Sequence, residues 1–298
     1  LIGDGTGSAL RENRYFALES CEYQRHFLAY YPYYAVITNI DLDHVDYFQD
    51  IDDIISAYKD YADKATKMVI AYGDDENVQK MITSSDIIYY GIGENNSVRA
   101  VNIIYSEKGS KFDVLIDGKL YGKFDLPLFG EHQVLDALAC ITVCYLENMN
   151  SVEVQNVFKS FSGAKRRFTE TVVGNSIIID DYAHHPNEVE TVINACRQKY
   201  KGKKLIAIFQ PHTFTRTKEF ADDLVKEFSK IDEAYILDIH PAREKQEDYP
   251  DVTSNMIVSK LKNGHLLNKD NAEELGQYDN SVFMFMSPND VSYYENLV

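Results

Sequence analysis

Residues 205–209, Leu-Ile-Ala-Ile-Phe, are apolar without interruption. A strand with one wet face alternates apolar and polar side chains, so an unbroken run needs cover on both faces. That is the setting of a strand in a parallel sheet flanked by helices. Short apolar runs alternate with helical spacing upstream as well. Residues 50–65 place apolar side chains at helical intervals behind carboxylates at the amino end. Residues 67–72 read as a strand, 73–76 as a turn opening a helix, and 87–90 as a further strand. The order β-α-β-α-β implies an α/β chain built on a doubly wound, mostly parallel sheet.

In such sheets ligands bind beyond the carboxyl ends of the strands. Val36-Ile37-Thr38-Asn39-Ile40-Asp41-Leu42-Asp43-His44-Val45-Asp46 carries an apolar β-branched run into a group of Asp and His at that position. From the residues alone, this is either an ordinary polar loop or a set of metal ligands. The preceding segment favours ligands, because the short apolar run of residues 15–18 leads into Glu19-Ser20-Cys21-Glu22. A second strand parallel to the first is therefore expected, bringing Glu22 and His44 to one rim of the sheet. A carboxylate with an imidazole suits Mg²⁺ or Mn²⁺ acting on phosphates, with water and substrate filling the remaining positions.

The chain of 298 residues, 45% hydrophobic and 26% charged, is long enough for roughly two domains. A net charge of −17 argues against nucleic acid or an anionic membrane as partner, since both call for a basic patch. Cys21, Cys140, Cys144 and Cys196 show no Cys-x-x-Cys spacing, and Cys140 and Cys144, in an apolar helical stretch, read as core thiols. With no apolar run of about 18 residues and no signal peptide, a cytoplasmic location is expected.

Between residues 98 and 126 the pattern changes. Residues 98–105, 112–116 and 120–126 are β-rich and are separated by Lys108-Gly109-Ser110 and by Asp117-Gly118-Lys119, whose Asp-Gly signals a hairpin. A small antiparallel meander is expected there, followed by a mostly apolar helix from residue 129. Ser162-Gly163-Ala164-Lys165 suits a hinge after the helix of residues 151–160, giving domains of residues 1–163 and 164–298. The second repeats the α/β pattern. Residues 172–173 and 176–180 flank a Gly174-Asn175 turn, Pro186 opens a helix over 187–200, and further strands are expected at 234–239 and 282–286.

Five blocks of this sequence occur in the same order in the Mur ligases. They are Glu19-Ser20-Cys21-Glu22, Thr38-Asn39-Ile40-Asp41-Leu42-Asp43-His44, Lys165-Arg166-Arg167-Phe168, Asp180-Asp181-Tyr182-Ala183-His184-His185-Pro186 and Phe209-Gln210-Pro211-His212-Thr213-Phe214-Thr215-Arg216-Thr217. One such match is weak; five in order, running through most of the chain, are specific. The chain resembles most the branch of the family that joins L-alanine to UDP-N-acetylmuramate. The resemblance implies a central ATPase-type doubly wound sheet with the meander, followed by a C-terminal Rossmann-like α/β domain. It also implies a fragment, with the family's N-terminal substrate-binding domain and P-loop upstream. Leu1-Ile2-Gly3-Asp4-Gly5-Thr6-Gly7-Ser8 lacks the Lys-[Ser/Thr] of a P-loop and reads as a mobile turn.

Carried over residue by residue, the resemblance assigns Glu22 and His44 to Mg²⁺ (or Mn²⁺), and Arg167 to the γ-phosphate of ATP. It sets His132 and Gln133 near the adenine, and Asp181, Tyr182 and His184 near the ribose and phosphates, with His185 structural. His212 and Arg216 are expected to face the muramoyl carboxylate or the incoming amino acid, with His240-Pro241-Ala242-Arg243-Glu244 nearby. The chain departs from the family in three places. Asp136 stands where relatives carry an amide, Thr213 where some have Arg, and Ser287-Pro288-Asn289 where they have Gly-Ala-Gly. The implied reaction transfers ATP's γ-phosphate to a carboxylate, and the acyl phosphate is then attacked by L-alanine. Residues of two domains converge and closure excludes water. A sister ligase attaching a peptide and an inactive nucleotide-binding relative are the alternatives. A plain Rossmann oxidoreductase is disfavoured, since no Gly-x-Gly-x-x-Gly opens a helix.

Overall fold

In the first sheet the strands lie side by side in the order in which the chain makes them. They are β1 (Tyr34–Ile37), β2 (Met68–Tyr72), β3 (Ile87–Gly91), β4 (Val98–Ser106), β5 (Gly109–Ile116) and β6 (Lys119–Leu126). The structure, a computed structural model, describes residues 14–298, so the turn expected over residues 1–8 lies outside the described residues. These divide into two compact units, 14–162 and 163–298, each built on a six-stranded sheet.

In the first unit β1 to β4 pair in parallel and β4, β5 and β6 pair antiparallel, which is the parallel sheet with an appended meander. Asp117 (φ 47°) and Gly118 (φ 76°) both take the left-handed conformation that a tight two-residue hairpin requires. Helices α1 (Ile51–Ala62), α2 (Glu76–Lys80), α3 (Glu131–Leu146) and α4 (Ser151–Ser160) complete the unit. Asp50 caps α1 by accepting from the Asp53 amide at 2.9 Å. Asp75 caps α2 by accepting from Asn77 and Val78 at 2.7 and 3.0 Å. Loop carboxylates thus serve as helix starts.

Residues 15–18 are not the strand expected of them. Tyr15, Phe16 and Leu18 are 47, 78 and 47% exposed, and no strand pairs with β1 on its far side among the described residues. An apolar run becomes a strand only where it finds a ladder partner and a face to bury. The side chain of Tyr15 is instead tied to Glu147. Cys140 is a second correction, since it lies on the exposed side of α3 rather than in the core, and Cys144 is half-buried.

The second unit contains β7 (Thr169–Val173), β8 (Ser176–Asp181), α5 (Pro186–Lys199), β9 (Lys204–Phe209), α6 (Phe214–Phe228), β10 (Glu233–Ile236), α7 (Asn255–Val258), β11 (Gly264–Leu266), β12 (Ser281–Met286) and α8 (Ser292–Glu295). Its strand order is β11-β10-β9-β12-β8-β7, parallel throughout except for the β7–β8 hairpin, which turns at Gly174 (φ 56°). All six residues of β12 are buried. Val282, Met284 and Met286 pack on one side with α5 and α6 residues, and Phe283 and Phe285 on the other. Each such side chain contributes about 1.5–3 kcal/mol of burial free energy.

One strand of this sheet is shorter than expected. β10 ends at Ile236 rather than 239, because the chain then leaves the ladder to bring His240 beside His212. Helix α6 begins directly after Thr213. Its first amides are satisfied from outside, as Glu244 accepts from Phe214 and Thr215 at 2.5 and 3.1 Å, a tertiary cap that local sequence does not reveal. The parallel register aligns Met286 with both Asp181 and Phe209. The loops after β8, β9 and β12 therefore leave from one rim of the sheet, and β10 adds a fourth.

Candidate functional site

The loop after β1 is anchored before it becomes polar. Ile40 is buried, its amide donates to Asp75 Oδ2 at 3.2 Å, and its carbonyl accepts from Asn77 Nδ2 at 2.9 Å. This fixes the loop on the amino end of α2 and presents Asp43 and His44 beyond it. His44 takes a left-handed backbone (φ 51°), its amide donates to Asp43 Oδ1 at 2.6 Å, and its carbonyl accepts from Tyr47 and Phe48. The Nε2 of His44 lies 2.9 Å from Glu22 Oε1 and 3.9 Å from Asp43 Oδ2.

Glu22 and His44 therefore do meet, though by a different route from paired strands: Glu22 stands at the start of a short turn of 3-10 helix, Tyr23–Ala29. The hydrogen bond from His44 holds the Glu22 carboxyl below the ordinary carboxylate range, against the effect of burial. Among the described residues, Glu22, Asp43 and His44 form a group whose ligand atoms all lie within 4.8 Å of one another. Two hard carboxylate oxygens and one imidazole, half-buried and open to water, fit Mg²⁺ or Mn²⁺. Asp43 is the member that the sequence reading missed; its signal was its place one residue before His44. His132 and Gln133 are half-buried in the first turn of α3, behind Gly130 (φ 93°).

In the second unit the expected residues gather at the carboxyl ends of the parallel strands. At the end of β8, Asp181 turns inward and accepts from the Phe168 amide at 2.7 Å and the Ala183 amide at 2.9 Å. Burial pushes its carboxyl up to about 6, although those amides and Arg167 oppose the shift. Asp181 thus ties the segment carrying Arg167 to the segment carrying Tyr182 and His184. Tyr182 is exposed, with the guanidinium groups of Arg166 and Arg167 each 5.6 Å from its ring centre. The two arginines do different work. Arg166 is turned to Asp180 at 3.2 Å and to the carbonyls of Ser287, Pro288 and Asn289 at 2.6–3.3 Å, whereas Arg167 lies half-exposed, 3.5 Å from Glu188.

Glu188, which is not among the residues expected from the sequence, joins this group. It accepts from the amides of His184 and His185 at 2.9 and 3.1 Å, and lies 3.3 Å from Nδ1 of His184. Burial alone would raise its carboxyl, but His184, the two amides and Arg167 outweigh it and hold the group below the ordinary range. The available signal was local: an acid at the third position of a helix opened by Pro186 is the far half of a capping box, and His185 is its near half.

His212 follows β9. Its ring centre lies 5.7 Å from that of His184 and 5.6 Å from that of His240, and its Nδ1 lies 3.1 Å from Nη1 of the buried Arg216. Thr213 (φ 64°) caps α6 and turns Arg216 under the imidazole. Burial, then Arg216 and the neighbouring His184, His240 and Arg243, push His212 down to about 4. The departing turn after β12 is rebuilt from side chains: Gln210 Oε1 accepts from Ser287 Oγ and Asn289 Nδ2, both at 3.1 Å, while Arg166 holds the carbonyls. Cationic and imidazole groups converging at strand ends form a site for oxyanions.

Residues 7–144 match the Mur ligase middle domain, and residues 166–280 match the Mur ligase glutamate ligase domain. The chain belongs to the Mur ligase family. Solved Mur ligases share its fold. The UDP-N-acetylmuramate-alanine ligase MurC from Thermotoga maritima superposes with a TM-score of 0.71 at 23% identity, over 91% of this chain and 60% of that one. A murein peptide ligase from Psychrobacter arcticus gives 0.66 at 17% identity, over 91% and 58%. The MurF ligase from Thermotoga maritima, in complex with ADP, gives 0.68 at 18% identity, over 92% and 62%. This Mur ligase chain thus spans about three-fifths of the length of the solved structures it matches. At these identities the structures show the fold alone.

Proposed function

We propose that this Mur ligase chain carries the ATP-binding and amino-acid-adding residues of an ATP-dependent amide ligase that joins L-alanine to UDP-N-acetylmuramate in peptidoglycan precursor synthesis. The observation that carries the reading is the placement of the motif residues. Three of the five blocks follow the carboxyl ends of the parallel strands β1, β8 and β9, the block of residues 165–168 is tied to the end of β8 by Asp181, and the fifth supplies Glu22 to His44. The ADP complex of a MurF ligase supports nucleotide binding here.

In this reading the substrate carboxylate takes the γ-phosphoryl group of ATP, and the amine of L-alanine attacks the acyl phosphate and displaces phosphate. Glu22, Asp43 and His44 would hold a divalent cation, whose chemistry is to neutralise charge on the transferring phosphoryl group. Arg167 offers a permanent cation to phosphate oxygens. His132 and Gln133 contact the base, and Tyr182 and His184 border the nucleotide and the reacting carbonyl. Asp181 acts from below by fixing the two segments that carry Arg167 and Tyr182. His212 and Arg216 bind an oxyanion of the substrate or the amino acid. Such a reaction consumes ATP where it is plentiful, in the cytoplasm, and among the described residues no helix is long and apolar enough to cross a membrane.

The likeness to a murein peptide ligase supports a second reading, in which the attacking amine belongs to a peptide. The test of the mechanism is isotopic. UDP-N-acetylmuramate labelled with ¹⁸O in its carboxylate should yield labelled phosphate if an acyl phosphate forms. Unlabelled phosphate alongside amide product would exclude that intermediate. Competition between L-alanine and a peptide amine for the same product tells the two readings apart.

A further inference from the structure

The two imidazoles that face each other after β8 and β9 have partners of opposite kind. Nδ1 of His212 lies 3.1 Å from Nη1 of Arg216. A guanidinium offers only donors and stays protonated, so this nitrogen of His212 must carry the lone pair. A neutral imidazole with a bare Nδ1 holds its proton on Nε2. Nδ1 of His184 lies 3.0 Å from the Tyr182 carbonyl oxygen and 3.3 Å from Glu188 Oε2. Both are acceptors, so here Nδ1 carries the proton, and the lone pair of the neutral ring sits on Nε2.

The geometry points to a donor–acceptor pair of fixed, opposite tautomers. Arg216 fixes His212 as a neutral Nε2–H donor, and the Tyr182 carbonyl with Glu188 fixes His184 as an Nε2 proton acceptor. Their ring centres are 5.7 Å apart and both are partly open to solvent. Together they suit a ligand that presents an oxyanion beside an N–H. The groups facing His212 are Arg216 from α6, His184 from the loop after β8, and His240 and Arg243 from the loop after β10, and each opposes a second proton on its ring.

What the pair does rests on the ligase reading; the tautomers themselves do not. As the amine attacks, a C–N bond forms and the C–O bond to phosphate breaks, its electron pair leaving on the phosphate. The proton shed by nitrogen passes to Nε2 of His184 and then to water. The carbonyl oxygen, negative in the tetrahedral stage, accepts from His212. Glu188 is a positioning residue in this scheme, since it acts through the imidazole of His184, and Arg216 sets the His212 tautomer in addition to its part in oxyanion binding.

The test is long-range ¹H–¹⁵N correlation of histidine-labelled protein, titrated with acid. Signals are assigned by His212→Gln and His184→Gln, or by through-bond assignment of the unaltered protein if either variant fails to fold. The expected spectrum shows His212 as the Nε2–H tautomer without protonation near pH 6, and His184 as the Nδ1–H tautomer. The reverse tautomer at either ring, or ordinary titration of His212, overturns the pair. Turnover supplies a second readout. His212→Gln, which retains an N–H donor, should stay within about tenfold of the unaltered enzyme, whereas His212→Ala should lose roughly a hundredfold or more. The expected tautomers without ligase turnover would uphold the pair and remove the ligase reading.

Discussion

The imidazole Nε2 of His44 lies 2.9 Å from Oε1 of Glu22, although neither residue is in a strand and the chain between them runs through the 3-10 segment Tyr23–Ala29 and β1. The contact depends on backbone placement at both ends. Tyr23, next to Glu22, sets its ring tilted at 43° to that of His44 with centres 4.8 Å apart, and donates from its hydroxyl to Asp46 Oδ2 at 3.1 Å. The acidic loop and the Glu22 segment are thereby held as one group.

Divalent-cation binding should therefore depend on three residues, not two. Mn²⁺ titrated into the protein and followed by electron paramagnetic resonance should bind roughly tenfold more weakly in Asp43→Asn, as in Glu22→Gln, because each change removes one unit of ligand charge. Mg²⁺ should compete for the same site. Unchanged Mn²⁺ affinity in Asp43→Asn would remove that residue from the ligand set.

Acid should weaken the fold through His212. Its ring is held down to about 4 from an ordinary 6.5. Between those values the unfolded chain holds a proton that the folded chain does not, so stability from this group rises with pH across that window and is complete above it. The expected increment is on the order of 2 kcal/mol. His212→Gln should flatten the dependence of melting temperature on pH between about 4 and 6.5. Parallel curves for the two proteins would contradict the burial and charge assigned to this ring.

Arg166 should be structural where Arg167 is not. Its guanidinium satisfies the carbonyls of Ser287, Pro288 and Asn289 and pairs with Asp180. Arg166→Met should cost about 3 kcal/mol in urea unfolding, since several charge-assisted bonds are lost and half-buried carbonyls are left unpaired. Arg167→Met, whose side chain is half-exposed and 3.5 Å from Glu188, should cost less than about 1 kcal/mol. Equal losses would mean that the two arginines share one role.

Much of this arrangement could be read from the residues. Unbroken apolar runs marked the parallel strands β9 and β12, Asp117-Gly118 marked its hairpin, and Pro186 marked the start of α5, because each of these is a local requirement of backbone or burial. What could not be read was set by partners distant in sequence. Residues 15–18 have strand composition and no ladder to join. Helix α6 draws its cap from Glu244, and the Ser287-Pro288-Asn289 turn after β12 is held by Gln210 and Arg166. In the candidate site, motif positions gave Glu22, His44, His184 and His212 directly. Asp43 and Glu188 were overlooked because each reads as an ordinary loop or capping acid until its neighbour is seen.

We propose that this chain serves an alanine-adding ligase. The most direct measurement is phosphate release from ATP by the protein that carries it, in the presence of UDP-N-acetylmuramate and Mg²⁺, with and without L-alanine. Release that depends on L-alanine is the expected result. Release with a peptide amine but none with L-alanine would contradict that claim in favour of a sister ligase, and no release with either would contradict catalysis itself.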